Sequence, residues 1–195
     1  SMIDLAPTFV DLAEGKPDRH YQGRSFAHLL DYADSSFRSV LFAEHNWHDF
    51  EAHERSVRSE NYLYIHNARP QYPNQGPADA VRSPSQQELQ ALRDAGKLTP
   101  AQADVFMAPR PYEELYNCRE DPQQLVNIAS LPGYQDKLRE MRAVLNQWMI
   151  NTDDEVPETL TADWFDRESG KETDKALQVR GKMPGRDNGA LSNTY

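Results

Sequence analysis

Apolar residues recur along this chain in short runs of differing period, and the periods predict a sequence of brief helices and strands with one longer helix near the end. In "IDLAPTFVDLAEG", Ile3, Leu5, Phe9, Val10, Leu12 and Ala13 keep a helical rhythm until Gly15 and Pro17 stop it, which predicts a helix over Pro7–Glu14. "GRSFAHLLDYAD" reads as a loop with one turn, and "SVLFAE", 39–44, is β-branched and aromatic enough for a strand. "RSVRSENYLYIHN" reads as two strands, Arg55–Ser59 and Tyr62–Asn67, joined tightly at Glu60-Asn61. In the second, Tyr62, Tyr64 and His66 alternate with Leu63 and Ile65, the period of a sheet with one covered face.

Further on, "SPSQQELQALRDAGKL" offers Ser85 as a helix cap with Glu88 three residues later and Gly96 as the stop. "TPAQADVF" repeats the arrangement with Thr99 and Pro100. A fourth strand is expected at Leu115–Asn117, then a turn at Asp121-Pro122. "YQDKLREMRAVLNQWMINT" is the clearest helix, with Leu138, Met141, Leu145, Trp148 and Met149 on one face. Tyr112, Tyr116, Trp148 and Met149 read as core. The sum is an α+β fold: a small four-stranded antiparallel sheet packed on a long C-terminal amphipathic helix, with extended arms. Three segments follow: 1–37, with an opening helix that has no evident place in the sheet; 38–152, the sheet and helix; and 153–195, an acidic, proline- and glycine-punctuated tail.

Composition narrows the partners. The formal net charge of -10 argues against nucleic acid and against an anionic membrane surface, since both bind clustered Lys and Arg. No stretch approaches the roughly 20 apolar residues of a membrane span. Cys118 is the single cysteine, so neither an intramolecular disulfide nor a cysteine metal cluster can form. It lies in "NCRED", where only Arg119 could favour its thiolate, and an incidental thiol is the simpler reading.

The residues between the first strands concentrate the candidate chemistry. His45, His48 and His53 form H-x2-H-x4-H beside Glu44, Asp49, Glu51 and Glu54. Imidazole and carboxylate suit zinc, but the spacing matches no established metal signature. Two other readings stand beside it. One is a polar loop between strands. The other is a sugar-binding surface, with Trp47 stacking and His45, Asn46 and His48 donating to hydroxyl or sulfate oxygens. "RDNG" at 186–189 could offer Asp and Asn to a hard cation, although it falls in the tail.

Several stretches, in order, resemble the C-terminal part of type I sulfatases of the alkaline-phosphatase superfamily: "SMIDLAPTFVDLAEG", "YQGRSFAHLL", "RSVRSENYLYIHN" and "EELYNCREDPQQLVNIA". Within that family "EHNWHD", "SVRSENYLYIHNARPQYP" and "PRPYEELYNCREDPQQLVNIASLPGYQDKLREMRAVLNQWMINTDD" are most similar to the heparan N-sulfatases and their bacterial relatives. The likeness runs from about residue 2 to 155, with a looser bacterial echo in "RGKMPG", 180–185. It implies that the opening helix belongs to the large α/β domain and that the rest is the smaller C-terminal subdomain.

By the same resemblance, catalysis would need a formylglycine made from Cys or Ser in Cys/Ser-x-Pro-x-Arg, and a calcium ion. Neither is expected in this chain: Cys118 is followed by Arg119 and Glu120, and "RDNG" sits at the wrong end. Both belong to the missing N-terminal catalytic domain, which is an expected partner. The implied ligand is a sulfated glycan. His48-Asp49 looks like the His-Glu of the heparan N-sulfatases, so His48, with His45, Trp47 and Asp49, is expected to contact substrate, with no catalytic or metal residue in the chain. A stand-alone glycan- or protein-binding module is the competing reading. Exposed Leu5, Phe9 and Leu12 on the opening helix would favour a homo-oligomer.

Overall fold

The protein is described as a computed structural model over residues 1–16, 18, 20–158 and 160–176. "RDNG" and "RGKMPG" lie outside the described residues.

A 3-10 turn at Met2–Asp4 leads directly into α1, Leu5–Leu12, so the helix starts two residues before the expected Pro7. It also ends earlier, because Glu14 takes the left-handed conformation (φ 59°) that closes the helix, and the Gly15 amide turns back to the Val10 carbonyl. Asp4 is fully buried and ties this helix to the next stretch. It accepts from the Arg24 amide at 2.8 Å and from the Arg38 guanidinium at 2.9 and 2.5 Å. Burial alone would raise its carboxyl, but the Arg38 and Arg24 donors outweigh that and hold it below the ordinary value. Thr8 adds a second tie by accepting the Phe26 amide at 3.0 Å. Leu5 is half-buried in this arrangement, contrary to expectation. Met2, Phe9 and Leu12, with Leu30 of the one-turn helix α2 (His28–Asp31) and nearby Tyr32, are exposed.

The sheet is a meander in the order β1-β2-β3-β4, every pair antiparallel: β1, Leu41–His48; β2, Phe50–Arg58; β3, Tyr62–Asn67; β4, Glu113–Asn117. β3 and the turn before it fall where the alternation placed them. β1 and β2 are longer than expected and absorb the whole predicted loop. β3 pairs with β2 only from Glu54↔Asn67 to Arg58↔Leu63, with one further bond from the Ala68 amide to the His53 carbonyl, so Phe50 and Glu51 are paired with β1 alone. The free edge of β4 is closed by Asn127, which accepts the Leu115 amide, and by Ile128, which donates to the Leu115 carbonyl.

Between β3 and β4 lie α3 (Ala78–Val81), α4 (Pro84–Asp94) and α5 (Pro100–Ala103). Ser83, not Ser85, caps α4: it is extended, Pro84 takes the first helical position where no amide is needed, and its hydroxyl accepts the Gln86 amide. Thr99 and Gln102 form the expected kind of reciprocal cap on α5.

α6, Gln135–Asn151, covers one face of the sheet. Leu138, Met141 and Leu145 meet Val57, Tyr64, Leu115 and Ile128 in the main core, and Phe42 stacks on Trp148 at 5.0 Å. Arg142 grips Glu113 through two 2.7 Å bonds while the Tyr64 hydroxyl donates to the same carboxylate at 2.6 Å. Those donors keep the Glu113 carboxyl below its usual range. Tyr116 is buried, but Tyr112, expected in the core, is mostly exposed with its ring edge-on to His66. A second, smaller core joins Phe50 to Ala78, Val81 and Phe165. No helix among the described residues is long and apolar enough to cross a membrane.

Candidate functional site

The segment expected to be a loop, residues 45–53, is the end of the β1–β2 hairpin. His48 pairs with Phe50 across a single connecting residue, Asp49, whose φ of 66° Asp tolerates better than most side chains. A bulge lies on β2 at Ala52–His53, two residues that face the single Asn46 between His45 and Trp47. Pairing wins over an irregular loop because Trp47 and Phe50 each find an apolar or aromatic neighbour when the strands continue.

The four residues expected to contact substrate are brought to this tip with different commitments. His48 is the outermost, its side chain 70% exposed, with Nδ1 3.4 Å from Asp49 Oδ2. His45 lies half-buried with Nδ1 3.0 Å from Glu54 Oε2 on the neighbouring strand. Asp49 is used at both ends: Oδ2 accepts the Ala78 amide at the start of α3, and its carbonyl accepts the Trp164 amide, each at 2.9 Å. Trp47 donates from Nε1 to the Ala162 carbonyl at 3.1 Å and meets Trp164 edge-to-face at 4.7 Å. Its ring is thus partly occupied by the protein. A narrow cleft beside the tip is lined by His45, His48, Tyr72, Asn74, Gln75 and Arg167.

His53 does not join the other two histidines. It is completely buried, and Nε2 lies 3.2 Å from the Glu155 carbonyl; since a carbonyl only accepts, Nε2 carries the proton. Burial, then the nearby Arg55 cation, lowers this imidazole to about 4, so it is neutral at ordinary pH. Arg55, also fully buried, bonds Asp154 at 2.5 and 2.8 Å and Asn46 at 2.7 Å. Among the described residues no group of three or more His, Cys, Asp or Glu is placed to hold a metal ion. Cys118 accepts a 3.4 Å hydrogen bond from Arg58. Its surroundings do not fit a formylglycine, and the acidic and imidazole side chains do not fit a calcium shell.

Residues 153–176 carry supports that local sequence patterns missed. Asp163 accepts the Glu51 amide at 2.6 Å, Arg167 donates to the Glu51 carbonyl at 2.7 Å, and Arg82 donates to the Gly170 carbonyl at 2.5 Å. The Asp163/Arg167 spacing of four was the available signal, but nothing in it names a strand more than a hundred residues away.

No protein-family model matches the chain. Among curated proteins it is 37% identical over 163 residues to an ulvan-active sulfatase of Formosa agariphila, covering 82% of this chain and 27% of that protein. It is 28% identical over 165 residues to human N-sulphoglucosamine sulphohydrolase, covering 79% of this chain and 33% of the relative. Among solved structures, one of a protein in complex with its substrate D-glucosamine-2-N,6-O-disulfate superposes with a TM-score of 0.50 at 17% identity. That match covers 75% of this chain and 23% of the other, and it speaks for the fold alone. The chain spans about a quarter to a third of the length of these relatives. Its sequence and fold match the C-terminal portion of sulfatases.

Proposed function

We propose that this chain is the C-terminal domain of a hydrolase acting on sulfate esters or N-sulfates of glycans, and that it supplies substrate contacts and packing but no catalytic group. The observation that carries the reading is the exposed His48 at a tip whose backbone is tied down on two sides. An imidazole with Asp49 beside Nδ1 can turn Nε2 outward to donate to a sulfate or hydroxyl oxygen. His45 lines the same cleft, while Asp49 and Trp47 hold the tip in place. Formylglycine and calcium chemistry, which would cleave the S–O or S–N bond, resides in the catalytic domain of the whole protein. The sequence holds no Cys/Ser-x-Pro-x-Arg motif, so the chain alone does not turn over a sulfate.

Exposed Met2, Phe9, Leu12, Leu30 and Tyr32 favour a covered N-terminal face in the whole protein. In the isolated chain the same face is available to a second copy.

Titration of the purified chain with N-sulfoglucosamine tests the contact. Weak binding that drops about tenfold or more in His48→Ala, the worth of one charge-assisted hydrogen bond, is the expected result. Equal binding by both proteins refutes a role for His48. Hydrolysis of an aryl sulfate by the Cys118→Ala chain would refute the assignment of the chemistry to another domain.

A further inference from the structure

The tip of the β1–β2 hairpin stands beyond the ladder with β3, since that pairing stops at Glu54↔Asn67 and Phe50 and Glu51 pair with β1 alone. A two-stranded ribbon is marginal in water and needs a further partner. That partner is a pair of side chains. Asp163 and Arg167 are bonded to each other, Nε to Oδ2 at 2.7 Å and Nη2 to Oδ1 at 2.9 Å. Together they take both backbone polar groups of Glu51: its amide donates to Asp163 Oδ1, and its carbonyl accepts from Arg167 Nη2. The carboxylate and guanidinium thus do what the C=O and N–H of a neighbouring strand would do. Arg167 is itself fixed over the rings of Tyr72 at 4.1 Å and Phe50 at 5.2 Å. Between the two clamp residues, the Trp164 amide holds the Asp49 carbonyl.

We propose that Asp163 and Arg167 are positioning residues for His48: they act through the backbone of Glu51 and Asp49 to set the direction in which the tip presents its imidazole. The proposal rests on the reading of His48 as a sugar contact, and the clamp itself can be tested without it. Asp163→Ala in the 195-residue chain removes the acceptor and frees Arg167. The expected result is amide exchange at Glu51 faster by about 10- to 100-fold, the range of a lost charge-assisted hydrogen bond, with Val57 and Leu115 unaffected. The His48 ring resonances should shift in the same variant, and N-sulfoglucosamine should bind about tenfold more weakly. Asp163→Asn, which keeps an acceptor for the Glu51 amide, should restore much of both effects.

Faster exchange at Glu51 with unmoved His48 resonances would reduce the clamp to fold stabilisation and overturn the proposal. Unchanged exchange would overturn it too. If the native chain binds no sugar, the contact reading fails, while exchange and ring resonances still decide the clamp. Should Asp163→Ala lower protection at Leu115, Arg167→Lys, which cannot reach carboxylate and carbonyl together, gives the same pattern in weaker form.

Discussion

Acidification from about pH 7.5 to about pH 5 is expected to destabilise the chain through His53, because the folded protein holds that ring neutral. Burial is the largest cause, and the Arg55 and Arg69 cations add to it; the Glu155 carbonyl and Asp154 pull the other way without compensating. The imidazole falls from 6.5 to about 4. Unfolded, it takes up a proton below about 6.5 while the folded state refuses one down to about 4. The stability held by the neutral ring is therefore complete above about 6.5, shrinks as pH falls, and is gone below about 4. Linkage gives a loss of about 2 kcal/mol at pH 5 and about 3 kcal/mol in full.

Urea unfolding of the chain and of His53→Gln, followed by tryptophan fluorescence at both pH values, isolates this contribution. The two proteins differ only at residue 53, so the difference between their pH dependences reports that ring. Glutamine is expected to be the less stable at pH 7.5 and to lose about 2 kcal/mol less on going to pH 5. Parallel pH dependences would refute the reasoning. On the same acidification, the amides of Asp154 and Glu155, next to the carbonyl that the ring bonds, should lose exchange protection before that of Leu115.

Three further outcomes are expected. Asp154→Ala leaves the fully buried Arg55 guanidinium with only the exposed Glu44 carboxylate at 3.7 Å and should cost about 3–5 kcal/mol in urea unfolding. Leu145→Ala, at a position 1% exposed against the sheet, should cost about 2–5 kcal/mol by the same assay, with no change at the hairpin tip. Gly23→Ala would place a Cβ 1.9 Å from the Ile3 carbonyl oxygen. It should part α1 from the 23–38 stretch and increase dye binding to exposed apolar surface, while exchange protection in the main core stays as it was.

The periodic elements were legible because their partners are local or repeated. The apolar stripe of α6, the alternation of β3 and the cap at Thr99 each state their structure within a few residues, and each stands where the pattern put it. Ser83 displaced Ser85 as a cap because Pro84 occupies the first helical position, a competition visible only when both serines are weighed against the proline. The histidine-rich stretch is less legible for a different reason: residue type alone cannot tell His48, facing solvent, from His53, turned beneath Glu155. What sorts them is the pairing of β1 with β2 through the bulge at Ala52–His53, opposite Asn46, which depends on neighbours that local patterning does not name.

The hairpin tip makes that dependence concrete. Its strands are paired to each other, but its direction is set from three remote places: the turn after α6 through Asp154 on Arg55, the start of α3 through Ala78 on Asp49, and residues 162–167 through Glu51 and Asp49. None of these supports enters the main hydrophobic core of Val57, Leu115 and Leu145. The tip can therefore be re-aimed by changes in the C-terminal segment at little cost to the sheet and helix, whereas a change in the core acts on the stability of the whole. Within a family whose members share this fold, substitutions between 153 and 176 are thus an inexpensive route to altering what His48 and His45 meet. Grafting residues 153–176 of a sulfatase with a different glycan preference onto this chain should move the His48 ring resonances and leave those of Leu138, Met141 and Leu145 in place. Core shifts as large as those at the tip would show that the two are coupled after all.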